Sequence, residues 1–295
     1  MSVSDFIRNN GGILRRRDLL DAGFSDSQIK RELIDKRVFR VRHGWYMLPD
    51  SNDQVARVVR IGGRITGLAA LRVLRVPYLP RTGVIDVSVP RGAANLRQPH
   101  DRRKRLTPHS RIRINWNDSP RKNRLPSDWI SSESEALLCV LRRESREVAV
   151  ACCDALIRYR GWTSAQLDRV FREAPARVQQ WRGLIDGRAD AWGETVVRLR
   201  VRAAGIPFEP QFVVPGAGRY DGRVVGMLLI EVDGKQHDES WDGESSFERD
   251  HDRDLVVVRE QGRVIRITYR QIEECWDECL RTIQIAYAAE LKRGS

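Results

Sequence analysis

The sequence predicts a mixed α/β protein of several domains, and three observations predict it. The first fifty residues combine helical apolar spacing with a short hairpin pattern. The middle holds isolated β-alternating segments followed by two helices. The last hundred residues set an amphipathic helix before a run of short strands, one of them nearly all apolar. The expected divisions are 1–50, 51–185 and 186–295.

In the first segment, "GGILRRRDLLDAG" carries Ile13, Leu14, Leu19 and Leu20 as the apolar positions of a helix, with Gly23 as its stop. Ser25 or Asp26 caps a second helix with Ile29, Leu33 and Ile34 along one side. "VFRVRHGWYMLP" reads as a hairpin, with Val38, Val41, Trp45 and Tyr46 as strand formers and His43-Gly44 at the turn. Helix, turn, basic helix and hairpin is the order of a winged helix-turn-helix, whose second helix enters the major groove while the hairpin touches the backbone. Lys30, Arg31 and Lys36 on the helix, with Arg40 and Arg42 on the hairpin, are the candidate DNA contacts. A protein-docking module is the plainer alternative. The stretch "LLDAGFSDSQIKRELIDKRVFRVRHGWYML" resembles the N-terminal winged-helix domain of AbiEi-family antitoxins. That resemblance implies an operator-binding module and a cognate toxin as a protein partner.

In the middle region "ITGLAALRVL" suits a helix, and "GVIDVSVP" and "RIRINW" suit strands. Between the strands, Arg102, Arg103, Lys104 and Arg105 form a basic run that reads either as a phosphate contact or as a solvated loop. "SDWISSESEALLCVLRRESREVAVACCDALIR" reads as two helices, the first capped near Ser131 or Ser132, with Glu133, Glu135 and Asp154 as exposed or capping carboxylates.

The chemistry is concentrated after residue 190. "WGETVVRLRVRAAG" is an amphipathic helix with Glu194 in its first turn, "QFVVPG" is a strand, and "RYDGRVVGMLLIEVDGKQH" gives two more. The apolar "MLLI" marks a buried central strand. Glu231 and Asp233, two apart on it, share a face, and Asp221 on the neighbouring strand reaches the same place. Clustered carboxylates repel one another and resist desolvation, so a folded cluster calls for a cation; oxygen donors suit Mg2+ or Mn2+ rather than zinc.

The segments "IEVDGKQH", "FERDHDRD" and "QGRVIRITYRQI", in that order, resemble the very-short-patch-repair and restriction-endonuclease-like branch of the PD-(D/E)XK nuclease superfamily. The resemblance covers about residues 190–273. It implies a mixed sheet flanked by helices, with Asp221 and Glu231 as metal ligands, Asp233 as a third carboxylate and Glu194 joining from the helix. Asp233 stands where the superfamily pattern has lysine, which leaves that role between Lys235 and His237. Arg253 would pair with site acids or contact phosphate. The function implied is metal-dependent hydrolysis of DNA, double-stranded in the leading case, in defence or repair. A non-catalytic regulator or antitoxin is the runner-up, and an RNA-directed nuclease a third option.

Composition agrees without adding specificity. The chain has 295 residues and a formal charge of +12, which lends modest support to a polyanionic partner, general solubility being the plainer reading of the excess arginine. No apolar run spans a bilayer, and the N-terminus lacks a signal-peptide pattern, so the expectation is a cytoplasmic protein with no membrane partner. The five cysteines make no C-x-x-C and lack zinc-ligand spacing; they are expected to be structural and reduced. No feature fixes an oligomeric state.

Overall fold

A computed structural model describes residues 1–80, 83–101, 103–107, 111–117, 129–233, 253 and 255–293. The class is mixed α and β, as expected. Two compact units are present: Met1–Arg75 with Arg81–Val140, and Val76–Pro80 with Leu141–Ser295. The boundary expected near 50 thus falls inside the first unit, and the one near 185 inside the second.

The first unit opens with α1 (Val3–Asn9), β1 (Ile13–Arg15), α2 (Arg16–Asp21) and α3 (Asp26–Ile34), then β2 (Phe39–Arg42) and β3 (Trp45–Met47). Where one helix was expected over "ILRRRDLL", the chain is extended before it turns helical. Gly11 and Gly12, both at positive φ, redirect it so that Ile13, Leu14 and Arg15 pair with Met47, Tyr46 and Trp45. The antiparallel sheet runs β1-β3-β2. Val3, Ile7, Leu14, Leu19, Ile29, Val38, Tyr46 and Leu48 close a core beneath it. Ser25, one of the two expected caps, accepts from the Gln28 N–H and starts α3. Next come α4 (Asp53–Ile61), β4 (Arg64–Thr66), α5 (Gly67–Val73), β5 (Ile85–Val89) and β6 (Ile112–Trp116). These strands form a second sheet in the order β4-β5-β6. Helix α6 (Glu133–Arg143) carries the chain across the division.

The second unit contains α7 (Arg146–Arg160), α8 (Ser164–Arg172), a 3-10 helix (Ala176–Leu184) and α9 (Trp192–Ala203). Strands β7 (Glu209–Val214), β8 (Gly218–Arg223), β9 (Leu228–Asp233) and β10 (Arg263–Thr268) follow, then α10 (Tyr269–Glu274) and α11 (Trp276–Arg293). The sheet order is β10-β9-β8-β7, with β10 parallel to β9 and the other pairs antiparallel. The apolar strand β9 is therefore central, as its composition predicts. Its residues alternate: Leu228 and Ile230 join a core with Val196, Val197 and Val201 of α9 and Ile283 of α11, while Leu229 joins Val214, Tyr220 and Val257. Two apolar faces on one sheet bury β9 on both sides and hold its acidic end in a fixed place.

Asp154 departs from expectation. It is no surface carboxylate but is 1% exposed, paired with an equally buried Arg198 at 2.8 Å. It also accepts from Thr195 Oγ1 at 2.8 Å and from the N–H groups of Asp186 and Gly187 at 2.9 and 3.0 Å. A buried charge persists only when paired and fully hydrogen-bonded. These four bonds satisfy the Asp154 carboxylate and tie α9 to α7 and to the turn after the 3-10 helix. All five cysteines are free. No helix among the described residues is long and apolar enough to cross a membrane.

Candidate functional site

Glu194 enters from α9. The helix starts at Ala191, which has no capping side chain, and Glu194 turns back to accept from the Asp190 and Ala191 N–H groups, the first at 3.0 Å. This is half of a capping box, and the positive end of the helix favours the carboxylate. An ordinary capping glutamate faces solvent, whereas Glu194 is 7% exposed. Gln211 Nε2 donates to the same oxygen, Oε2, at 2.6 Å. The approach depends on Gly193, where a Cβ would lie 2.4 Å from the ring of Tyr269 and 3.0 Å from Val232. Tyr269 stacks on Trp192 with ring centroids 5.1 Å apart, and this pair covers the start of the helix.

Asp221 enters from β8 at a break in the sheet. The β8–β9 ladder pairs Arg223 with Leu229 and Gly222 with Ile230. At the next step the Val232 N–H donates to Asp221 Oδ2, at 2.7 Å, so a side chain continues the ladder. Side chains two apart on a regular strand share a face. Here Tyr220 packs into the Leu229 cluster, while Gly222 lies under Phe208 of the opposite cluster, whose ring would be 2.0 Å from a Cβ. The alternation therefore breaks at Asp221. Across from it, between the Pro210–Gly222 and Phe212–Tyr220 partners of the β7–β8 ladder, Gln211 adopts φ +56°. Both strands are thus irregular at the level of the carboxylates.

Burial is the main reason that both acids titrate high. Glu194 is pushed up to about 8, further raised by the charge of Asp221. Asp221 is pushed up to about 6; Glu231 and Asp190 add to the rise, against the Val232 N–H and Arg219. Burial, then Glu194, pushes the Tyr269 hydroxyl up to about 12. Asp190 is held by ion pairs to Arg158 and Arg219. Neither Glu194 nor Asp221 forms an ion pair with lysine or arginine among the described residues.

Glu231 is differently placed. Its Oε1 lies 3.0 Å from Arg253 and its Oε2 3.3 Å from Arg266, its register partner on β10. Arg253 is itself fixed, donating to the carbonyls of Ala217 and Arg219 at 2.7 and 2.8 Å and lying over the Tyr220 ring. Asp233 shares the face of Glu231 by pleat but is exposed at the last position of β9. Lys235, His237, Arg102 and the acids Asp250, Asp252 and Asp254 lie outside the described residues.

The structure therefore brings Asp221 within electrostatic reach of both Glu194 and Glu231. It adds Asp190, Gln211, Arg219, Arg266 and Tyr269, which sequence reasoning missed. Arg266 was within reach of it, since it stands in "QGRVIRITYRQI", one of the segments that carry the nuclease resemblance. Among the described residues, no group of three or more histidine, cysteine, aspartate or glutamate side chains is arranged to hold a metal ion. The donor set fits a hard cation nonetheless. The buried Glu194 and half-buried Asp221 carboxylates, neither in an ion pair with lysine or arginine among the described residues, and the buried Gln211 Oε1, which has no hydrogen-bond partner among them, are oxygen donors. Mg2+ is typically bound by one or two carboxylates, completing its shell with waters and phosphate.

In the first unit, Lys30, Arg31, Lys36, Arg40 and Arg42 are all exposed on or beside α3 and the β2–β3 hairpin. Among the described residues, no carboxylate forms an ion pair with any of them.

Fold and site together define a two-unit α/β chain with an acidic cluster at the kinked end of a mixed four-stranded sheet. No family model matches the chain, and no curated protein matches it. Among solved structures, the chain is similar to the crystal structure of the RV2827C protein from Mycobacterium tuberculosis, at 15% identity and a TM-score of 0.31. That match covers 67% of this chain and 79% of the other.

Proposed function

We propose that the protein is a metal-dependent DNA endonuclease whose first unit binds DNA. The observation that carries this reading is the pair Glu194 and Asp221: a buried and a half-buried carboxylate from different elements, each raised by desolvation and by neighbouring negative charge, and neither in an ion pair with lysine or arginine among the described residues. Such a pair is unfavourable by itself and becomes favourable around a divalent ion. When bound there, Mg2+ or Mn2+ would polarise a phosphate oxygen and make a water more acidic.

The chain's own groups do the rest. Glu194 and Asp221 would hold the cation, and both are fixed in place, because the start of α9 and the β8–β9 break are each locked by backbone hydrogen bonds. Arg266, half-exposed beside Glu231, offsets phosphate charge as a bridging P–O bond breaks. Arg253 keeps Glu231 in place. With Asp233 at the position of the superfamily lysine, the resemblance gives the remaining cationic role to Lys235 or His237. The exposed basic face of α3 and the hairpin supplies the phosphate contacts for docking on duplex DNA.

A second reading, a non-catalytic DNA-binding regulator or antitoxin, is favoured by one observation: both oxygens of Glu231 are already held by arginines. Plasmid incubated with Mg2+ or Mn2+ separates the two. Nicking by wild type and none by Asp221→Ala/Glu231→Ala supports the nuclease. DNA binding without cutting under either metal supports the regulator.

A further inference from the structure

Gln211 has an environment that strand packing alone does not require. It sits within β7, yet its φ is +56°, a region L-residues with long side chains rarely enter. The kink sets it level with Asp221 on β8. Its Nε2 donates to Glu194 Oε2 at 2.6 Å, which fixes the plane of the carboxamide. The other end, Oε1, is buried and has no hydrogen-bond partner among the described residues. A buried carbonyl oxygen normally finds a donor, and one left over next to the Glu194 carboxylate, at the level of Asp221 on the neighbouring strand, is suited to a cation.

Resting on the metal-dependent reading above, we propose that Gln211 is a third protein ligand: its Oε1 supplies a neutral oxygen to the same divalent ion that Glu194 and Asp221 hold. The carboxamide then has two duties. Its nitrogen orients Glu194, and its oxygen completes a donor set of two carboxylates and one carbonyl. A neutral third donor also adds no charge to a pocket where the acids already repel one another. A third carboxylate there would raise that repulsion, so glutamine serves better than glutamate.

The test uses the full chain and Mn2+ alone, with binding read from loss of the free-ion electron paramagnetic resonance signal, and Co2+ read from its visible absorption. The variants are Asp221→Ala, Gln211→Leu and Gln211→His, each first checked for wild-type circular dichroism in EDTA. Wild type should bind one Mn2+, and Asp221→Ala should not. Gln211→Leu should weaken Mn2+ binding at least about tenfold, the loss typical of a ligand or its support at a metal site. Gln211→His should swing the preference from Mn2+ towards Co2+ and change the Co2+ spectrum, because imidazole is a softer donor than a carbonyl oxygen. A residue that merely positions Glu194 would not alter the metal preference. Mn2+ binding lost in Asp221→Ala but unchanged in Gln211→Leu overturns the role of Gln211 and leaves the nuclease reading standing. So does equal weakening in both Gln211 variants with an unchanged Co2+-to-Mn2+ preference. No Mn2+ binding by wild type overturns both.

Discussion

Replacing Glu194 by glutamine should stabilise the metal-free protein at high pH while abolishing its response to metal. The carboxyl of Glu194 titrates near 8 in the folded chain, against an ordinary value of 4.5, mainly because it is buried. The folded state therefore holds its proton more tightly than the unfolded state does. The associated stability is fully present below about pH 4.5 and is lost as pH rises through about 8. At about 1.4 kcal/mol per pH unit, the loss is on the order of 4–5 kcal/mol at most. Asp221 adds a smaller decline of the same sign, from 3.8 to about 6. Glutamine removes the larger part of this slope. The hydrogen bonds from the Asp190 N–H and from Gln211 Nε2 both end on Oε2, so one amide oxygen can keep both, leaving the Ala191 N–H as the one donor the substitution puts at risk. Urea unfolding in EDTA at pH 5, 7 and 9 would read the effect. Wild type and Glu194→Gln should agree within about 1 kcal/mol at pH 5, and the variant should lead by several kcal/mol at pH 9. Added Mn2+ at pH 8 should then stabilise wild type and leave the variant unchanged. Parallel pH curves for the two proteins, or a variant less stable than wild type at pH 9, would refute the reasoning.

Other perturbations probe the supports of the site. Asp154→Leu leaves Arg198 and the Asp186 and Gly187 N–H groups without their acceptor and should cost at least about 3–5 kcal/mol, whereas Asp154→Leu/Arg198→Met should recover only the part due to the unpaired guanidinium in thermal or urea unfolding. A single variant within about 1 kcal/mol of wild type would show that the pair does not hold α9. Gly193→Ala puts a methyl 2.4 Å from the Tyr269 ring and should destabilise by about 1–3 kcal/mol, with loss of Mn2+-dependent stabilisation because the ring and Glu194 must move together. Removing Lys30, Arg31, Lys36 and Arg40 together should weaken duplex binding for every sequence and flatten its salt dependence by about 0.9 in log–log slope per lost phosphate contact. An unchanged slope in a filter-binding titration would take those side chains off the DNA.

Local pattern sufficed for most of the elements. The apolar run before Glu231 marks β9 as central, and the sheet order puts it between β8 and β10. Ser25 is legible as a cap because its hydroxyl and Gln28 sit at capping-box spacing. Pattern failed at Ile13–Arg15, where apolar spacing alone does not separate a strand entering a helix from one continuous helix. Pairing with β3, well beyond the reach of any local window, decides it.

At the site, the sequence by itself determined which side chains carry negative charge and that Glu231 and Asp233 fall on one face of a strand, since both follow from residue type and a two-residue repeat. Only tertiary structure decided that Glu194 is buried, that Glu231 faces two arginines while Asp221 faces none in an ion pair among the described residues, that Asp154 is an internal anchor, and that Gln211 leaves the regular strand conformation to reach Glu194. Each of these depends on which distant backbone segment packs alongside, and desolvation and Coulomb energies are set by that distance and burial rather than by position along the chain.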